Sequence, residues 1–278
     1  MILYVEHNGQ QYKVDTTAFH DLSIPYNFEG EQPNFYDVDR GSVRPFDSGD
    51  RKWSTKLGAG CNVMEIALNV HCTGTHTETV GHLSQNPVPI REVLTDVLFP
   101  AGLITVTPTK YAPTPKRYHV EVGDDELVIE RIQVEQGLDS AELSGVSALI
   151  IRTLPNDISK LSRRYTQHPA PFFTHGAMEL IRESGIRHLV VDLPSVDRAD
   201  DGGILGNHRI FWGLDMNAPV NPETPSTRTI TEMAYIPDEL VDGLYFLSLQ
   251  IPGLMLDAAP CRPLVGQGTQ SHSNQLNL

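Results

Sequence analysis

The segment THGAMELIRESGIRHLVVDLPSV, residues 174–196, decides the fold class of this 278-residue chain. Thr174 is a residue type that favours the N-cap position, and Ile181 lies on the apolar face of the short helix that would follow. Gly185 stands where that helix is expected to end, and residues 186–193 form an apolar run typical of a buried strand. A helix followed directly by a buried strand predicts an α/β fold.

Apolar runs elsewhere in the chain extend this prediction to a larger sheet. Further buried strands are expected at residues 101–107, 146–153 and 244–249. We find no internal repeat and no linker between two cores, so the sequence predicts a single domain with a central β-rich core and flanking helices. This domain is expected to span residues 1–265, and the polar, apolar-poor residues 266–278 are expected to form a disordered tail.

The charge balance limits the classes of partner. Lys and Arg number 21 against 35 Asp and Glu, a net charge of −14, which argues against nucleic acid and anionic membranes as partners. No apolar run is as long as a membrane-spanning helix requires, and the N-terminus lacks the pattern of a signal peptide. Three cysteines, Cys61, Cys72 and Cys261, do not suit a disulfide framework, so we expect a cytoplasmic protein.

The densest group of metal-binding residue types lies in NVHCTGTHTETVGH, residues 69–82. Its Thr and Gly residues disfavour a helix, and in an extended chain alternate side chains share a face. That face would gather Cys72, His76, Glu78 and His82, with His71 pointing the other way. A thiolate, imidazoles and a carboxylate suit zinc best, and manganese or iron less well. The competing interpretation is an ordinary polar loop.

This motif resembles the signature His-x-Gly-Thr-His-x-Asp-x-Pro-x-His of the cyclase-type metal-dependent hydrolases, which include bacterial kynurenine formamidase and isatin hydrolase. Gly74, Thr75, His76 and His82 match it. Segments similar to other marks of that family follow in the same order: DLSIP at 21–25, LVVDLPSVD at 189–197, Asn207-His208, TITEMAYIPDEL at 229–240 and APCR at 259–262.

The resemblance implies a swivelling β/α fold and a site with one or two divalent metal ions, zinc first and manganese second. It implies His82 as the general acid/base, and as metal ligands Cys72, His76, Glu78, His208 and Glu232. Three positions depart from the signature, with Cys72 in place of His, Glu78 in place of Asp and Val80 in place of Pro. The chain therefore resembles a divergent subgroup. His71 could replace Cys72 as a ligand only if the backbone is locally kinked.

The function expected on this basis is metal-dependent hydrolysis of a small amide, a cyclic amide or a lactone. A metal-activated water would attack the carbonyl, and His82 would transfer the proton. Two alternatives remain at this stage: a catalytically silent member that binds a metal or ligand, and a cyclase or lyase. The expected partners are a small-molecule substrate and further copies of the chain in a homodimer or homotetramer.

Overall fold

Strands make up most of the regular structure. The computed structural model describes residues 1–86, 88–112, 118–141, 143–220 and 226–271. In chain order the strands are β1 (Ile2–His7), β2 (Gln10–Asp15), β3 (His20–Asp21), β4 (Ser42–Pro45), β5 (Met64–Ala67), β6 (His76–Glu78), β7 (Phe99–Val106), β8 (Thr109–Lys110), β9 (Leu127–Ile129), β10 (Ala148–Thr153), β11 (Phe172–Phe173), β12 (His188–Val191), β13 (Thr229–Glu232), β14 (Gly243–Gln250), β15 (Ala258–Pro260) and β16 (Arg262–Gln270).

The α-helices of the described residues are few and short. They are α1 (Ile90–Val93), α2 (Arg131–Ser140), α3 (His175–Glu183) and α4 (Gly206–Trp212). The Thr174 side chain accepts a hydrogen bond from the backbone N–H of Ala177, so α3 begins at the predicted cap. Gly185 has a φ of +80° just beyond the end of α3, as a residue that reverses the chain requires.

A mixed sheet runs through the centre of the molecule. Its strand order is β1, β2, β16, β14, β7, β10, β12, β13, β6 and β15, and β3 pairs with β16. The four inner strands β7, β10, β12 and β13 are parallel to their neighbours among themselves, whereas β14 and β6 pair antiparallel at either side. This confirms a single α/β domain with a β-rich core.

Apolar side chains cover both faces of the inner strands. Leu149 and Ile151 of β10 join the core cluster that includes residues of α3 and α4, such as Ile181 and Phe211. Ala148 and Ile150 join the cluster on the opposite face. Because both faces are covered, every residue of β10 is buried, which explains the continuous apolar run at its first four positions, 148–151.

The C-terminal segment corrects one prediction. We expected a disordered tail from residue 266, but β16 continues to Gln270. Its backbone pairs with β14 through Gly266 and with β2 through Gly268 to Gln270. Backbone hydrogen bonds to two neighbouring strands order a polar segment that has few apolar side chains of its own. Residues 272–278 of the expected tail lie outside the described residues.

Across the residues described, the structure contains no helix with both the length and the apolar character that crossing a membrane would take.

Candidate metal centre and active site

The motif at residues 71–82 is only partly extended. Residues 70–74 form a turn, His76–Glu78 forms β6, and Val80–His82 forms a 3-10 helix. The turn is closed by Asn69, whose backbone oxygen accepts from Thr73 Oγ1 at 2.6 Å. The predicted alternation of side chains between two faces therefore holds for His76 and Glu78. It is wrong for the residues before and after β6, because the turn and the 3-10 helix rotate their side chains.

Strand β6 places two of the predicted ligands inside the sheet. It lies between β13 and β15, with His76 opposite Glu232 and Glu78 opposite Ala258. His76 and Glu78 are 0% and 1% exposed. Gly81 is required beside this strand, because a Cβ there would lie 2.8 Å from the Val88 carbonyl oxygen.

His208 comes from a different part of the chain and is oriented by Asp197. Asp197 follows β12, and its Oδ2 accepts a hydrogen bond from His208 Nδ1 at 2.7 Å. The other carboxylate oxygen accepts from Tyr118 Oη at 2.6 Å and from the Asn207 backbone N–H at 2.7 Å. This carboxylate directs Nε2 of His208 towards Glu78, as an outer partner does for a metal-ligating histidine.

Four side chains, which we call the inner group, converge at the buried end of the site: His76, Glu78, His208 and Glu232. Ligand atoms of His76, Glu78 and Glu232 all lie within 4.8 Å of one another. His208 Nε2 lies 2.8 Å from Glu78 Oε1 and 3.5 Å from Glu232 Oε1. The structure thus brings together four of the five predicted ligands.

Glu78 also belongs to a second set of neighbouring side chains. We call this set the outer group: His71, Glu78, His82 and Asp257. Glu78 Oε2 lies 3.7 Å from His71 Nε2 and 3.7 Å from His82 Nδ1. Asp257 Oδ2 lies 3.0 Å from the same nitrogen of His71 and 3.4 Å from that of His82. The two oxygens of Glu78 therefore face different groups.

The charges of the inner group are strongly coupled. Against the effect of burial, the imidazoles of His82 and His208 hold the pKa of Glu78 low, at about 2. Burial and the nearby Glu78 raise the pKa of Glu232. Burial lowers the pKa of His76 to about 4, so His76 is neutral at physiological pH and can donate its lone pair.

The inner group fits a divalent cation. Among the described residues, buried His76 Nε2 has no hydrogen-bond partner, and buried Glu78 Oε1 and His208 Nε2 have only each other within 3 Å. His76 Nδ1 lies 3.0 Å from the Gly74 carbonyl oxygen, to which it can donate, so that Nε2 offers a lone pair to the group. Buried polar atoms without partners are costly, and two imidazoles with two carboxylates are a donor set suited to zinc or manganese.

Cys72 lies beside the site, but neither group formed by the described residues contains it. The turn that brings His71 into the outer group leaves the Cys72 side chain packed in a small apolar cluster with Phe35 and Met233. Burial raises the pKa of the Cys72 thiol to about 11, and the carboxylates of Glu232 and Glu78 add to this effect. The local kink that would let His71 replace Cys72 is present.

A pocket of about 260 Å³ opens onto both groups. Cys72 and His82 line it, together with the loop that follows β12. Phe35 and Tyr36 form one wall with ring centroids 4.0 Å apart, and Tyr36 Oη donates to the Ala199 carbonyl oxygen at 2.6 Å. This hydrogen bond joins the segment before the motif to the loop after β12 and holds the aromatic wall in place.

Sequence reasoning missed Asp257 as a member of the site. Asp257 lies two residues before the segment at 259–262 that resembles the family, and no other signal in the sequence marks it. Pairing of β15 with β6 brings it to the motif. The position of Asp197 after the apolar strand could have marked it as a candidate in the sequence. Its contact with His208, however, is visible only in the folded structure.

Comparisons with known proteins agree with this architecture. Residues 20–198 match the family model Cyclase, whose description is "Putative cyclase". The match spans more than half of the chain, so the chain belongs to the cyclase family. This confirms the family expected from the motifs.

Relatives and solved structures extend the comparison. Kynurenine formamidase of Bacillus thuringiensis subsp. konkukian (strain 97-27) is 25% identical over 205 residues, covering 70% of this chain and 78% of that protein. The kynurenine formamidase of Bacillus mycoides (strain KBAB4) is 24% identical over 261 residues, covering 90% and 98%. The crystal structure of an isatin hydrolase bound to the product analogue thioisatinate aligns with a TM-score of 0.62 at 11% identity, covering 91% and 93%, and shows a shared fold.

Proposed function

We propose that this protein is a metal-dependent hydrolase of a small amide, a cyclic amide or a lactone. The observation that supports this most is the buried inner group, where two imidazoles and two carboxylates face one another at the end of a pocket and His76 Nε2 has no partner among the described residues. The similarity to proteins named kynurenine formamidase and isatin hydrolase supports hydrolysis at a carbonyl carbon. Membership of the same family leaves cyclase or lyase chemistry as the alternative, which an experiment must distinguish from hydrolysis.

His76, Glu78, His208 and Glu232 would hold the metal ion, with zinc as the first candidate and manganese as the second. A bound divalent ion lowers the pKa of a water molecule and polarises a carbonyl group. Asp197 keeps His208 in the tautomer that presents Nε2 to the group, because Asp197 accepts from Nδ1.

His82 is the proposed proton carrier. Its Nδ1 faces Glu78 and Asp257, and the charge of Glu78 raises the pKa of His82. The opposite ring nitrogen, Nε2, is then available to take a proton from the attacking water and to return it to the leaving nitrogen or oxygen. A histidine 28% exposed at the pocket can exchange that proton with solvent between turnovers.

The volume and the lining of the pocket favour a small substrate that carries a ring. Its volume of about 260 Å³ lies near the lower end of ordinary ligand sites. The wall formed by Phe35 and Tyr36 offers an apolar, flat surface against which a planar ring can pack. Homodimer or homotetramer assembly and a cytoplasmic location remain predictions, which light scattering and cell fractionation would test.

Metal analysis and a substrate screen test the proposal together. We expect purified protein to contain zinc or manganese and to hydrolyse an aryl formamide or a fused-ring lactam with uptake of one oxygen-18 from labelled water. Glu232→Gln should lower both metal content and turnover, whereas Cys72→Ser should retain the metal because its thiol lies outside both groups. Product without oxygen-18 would favour a cyclase or lyase, and protein without metal after reconstitution would refute the hydrolase.

A further inference from the structure

We infer that Tyr36 is a specificity-determining residue, because its side chain bridges the mouth of the pocket by a hydrogen bond that a large substrate has to break. We call this hydrogen bond, from Tyr36 Oη to the Ala199 carbonyl oxygen, the latch. The inference rests on the proposed function, since it names the size of substrate that the site admits. A substrate built on a single flat ring enters with the latch closed, and a wider one enters only when the latch opens.

The latch joins two walls of the pocket at its solvent side. Tyr36 and Ala199 both line the pocket, although they lie 163 residues apart in the chain. The hydroxyl and carbonyl oxygens are 2.6 Å apart. Tyr36 is 56% exposed, whereas Phe35, the other member of the aromatic wall, is 6% exposed. The phenol therefore lies nearer the solvent than the Phe35 ring, where an entering molecule meets it first.

The backbone holds the Tyr36 ring in this place at a conformational cost. Tyr36 and Asp37 have φ values of +62° and +50°, in the left-handed region that residues other than Gly seldom adopt. In an extended chain, the side chains of successive residues point to opposite faces. Here the turn leaves the rings of Phe35 and Tyr36 with centroids only 4.0 Å apart. Strain of this kind persists where the surrounding structure imposes it, often at functional sites.

Contacts with neighbouring segments impose the turn. The Phe35 backbone N–H donates to the Cys72 carbonyl oxygen at 3.0 Å, which fixes the wall to the motif. On the other side of Tyr36, Asp37 Oδ1 lies 2.5 Å from Arg164 Nη2. The segment that carries the phenol is therefore attached to two separate parts of the fold.

The opposite wall is fixed as well. The backbone N–H of Arg198 donates to Tyr118 Oη at 3.1 Å. The Asp201 carbonyl oxygen lies 3.0 Å from His119 Nε2, which can donate to it. These contacts hold the loop on either side of Ala199. Because both walls are anchored, the phenol between them is the part that has to move when a larger molecule enters.

A single hydrogen bond at the solvent side makes the latch reversible. Water competes for both of its groups, so one such bond contributes a factor of roughly five to an equilibrium constant. The closed state then exchanges with a minor open state, and a ligand that fits only the open state selects it. The closed pocket, of about 260 Å³, suits a one-ring substrate. A wider substrate loses affinity through the cost of opening.

Labelling of Cys72 measures the opening of the latch without depending on hydrolysis. Cys72 lines the pocket, so a thiol reagent has to enter the pocket to reach it. The rate with compact N-methylmaleimide is compared with the rate with bulky N-(2-naphthyl)maleimide, and peptide mass spectrometry separates Cys72 from exposed Cys61 and buried Cys261. Both reagents react with the same thiolate, so the ratio of the naphthyl rate to the methyl rate cancels the reactivity of the thiol.

Two variants separate the hydrogen bond from the ring. Tyr36→Phe removes the hydroxyl group and should raise the labelling ratio roughly fivefold. Tyr36→Asn also removes the ring but keeps a residue type that tolerates a positive φ, so the turn should persist and the ratio should rise further. Tyr4→Asn is the matched control, because Tyr4 is 63% exposed on β1 and lies outside the pocket lining. Cys261 reports on unfolding, which would expose it to both reagents.

Hydrolysis provides a second readout of the same preference. The ratio of kcat/KM for N-(2-naphthyl)formamide to kcat/KM for formanilide should rise in both Tyr36 variants and stay unchanged in Tyr4→Asn. An unchanged labelling ratio in both Tyr36 variants would overturn the latch, whatever the enzymatic activity. A labelling ratio that rises in Tyr36→Asn but not in Tyr36→Phe would also overturn it, because the ring would then limit entry by its bulk alone. Metal-free, inactive protein in which the labelling ratio rises in both variants would support the latch and refute the proposed hydrolase.

Discussion

At the scale of single residues, the site depends on side chains whose protonation the fold controls. Glu78 has one more methylene than the aspartate of the family signature, about 1.5 Å of added reach. Its oxygens contact His208 on one side and His71 and His82 on the other. Neighbouring histidines hold Glu78 ionised, which is the state needed to bind a cation.

His188, away from the site, offers a pH test of the fold. It is 3% exposed on β12, lies 2.9 Å from Thr229 Oγ1 through Nδ1, and packs on Phe99. Burial lowers its pKa from 6.5 to about 4, with a smaller contribution from Arg187. The folded state therefore prefers the neutral ring, whereas the unfolded chain takes up a proton below pH 6.5.

The sign of the effect follows from that difference. Stability contributed by neutral His188 is present above pH 6.5 and is lost as the pH falls towards 4. By pH 5 the loss should be on the order of 2 kcal/mol. We expect metal-free wild-type protein to lose that much more unfolding free energy between pH 7.5 and 5 than His188→Gln, as measured by urea denaturation at each pH. Parallel pH profiles of the two proteins would contradict the prediction.

At the scale of elements, a buried ion pair ties the ends of two inner strands together. Asp192 follows β12 and accepts from the backbone N–H of Thr153, the last residue of β10, at 2.9 Å. Lys160 Nζ donates to Asp192 at 2.7 Å and to the Thr153 carbonyl oxygen at 2.7 Å. These contacts position the start of the loop that leads to Asp197 and the pocket.

Removing the cation should be costly because Asp192 is buried. We expect Lys160→Met to lower the free energy of unfolding by about 3 kcal/mol, since an ionised carboxylate would remain without its partner. The double variant Lys160→Met/Asp192→Asn should recover part of that loss. Urea denaturation of both single variants and the double variant measures the coupling. An additive cycle would show that the pair contributes no specific stability.

At the scale of the whole molecule, the site joins segments that are distant in the chain. Strand β6, the 197–208 segment, β13 and the residue before β15 each supply at least one side chain. An ion bound to the native site and not to the unfolded chain stabilises the fold in proportion to the logarithm of its concentration. Metal binding and thermal stability should therefore be linked.

Thermal denaturation with and without zinc measures this linkage. Free zinc at a hundredfold excess over its dissociation constant should add about 2.7 kcal/mol and raise the melting temperature of the wild-type protein. Glu78→Gln should abolish the increase because the proposed metal centre loses one of its two carboxylates, and a chelator should reverse it in the wild type. Equal increases in wild type and Glu78→Gln would place the stabilising ion elsewhere.

Local patterns predicted much of this fold. The Thr174 cap, the helix after it and the buried strands at β10 and β12 follow from apolar periodicity and capping chemistry, which act over a few residues. The segment at 125–138 shows the limit. Its composition suggests a strand and a turn, yet α2 follows β9 there, because a capping box at Glu130 and packing against β7 favour the helix.

The sequence by itself determined the fold class and the family, and it predicted four metal ligands whose side chains do meet, His76, Glu78, His208 and Glu232. Only the tertiary structure decided that His71 and Asp257 join the site, that Cys72 stays outside both groups, and that Glu78 faces two sets of donors. The physical reason is that residue type and spacing determine the conformational preferences of short segments of the chain. The turn at 70–74 and the pairing of β15 with β6, by contrast, depend on contacts between distant segments.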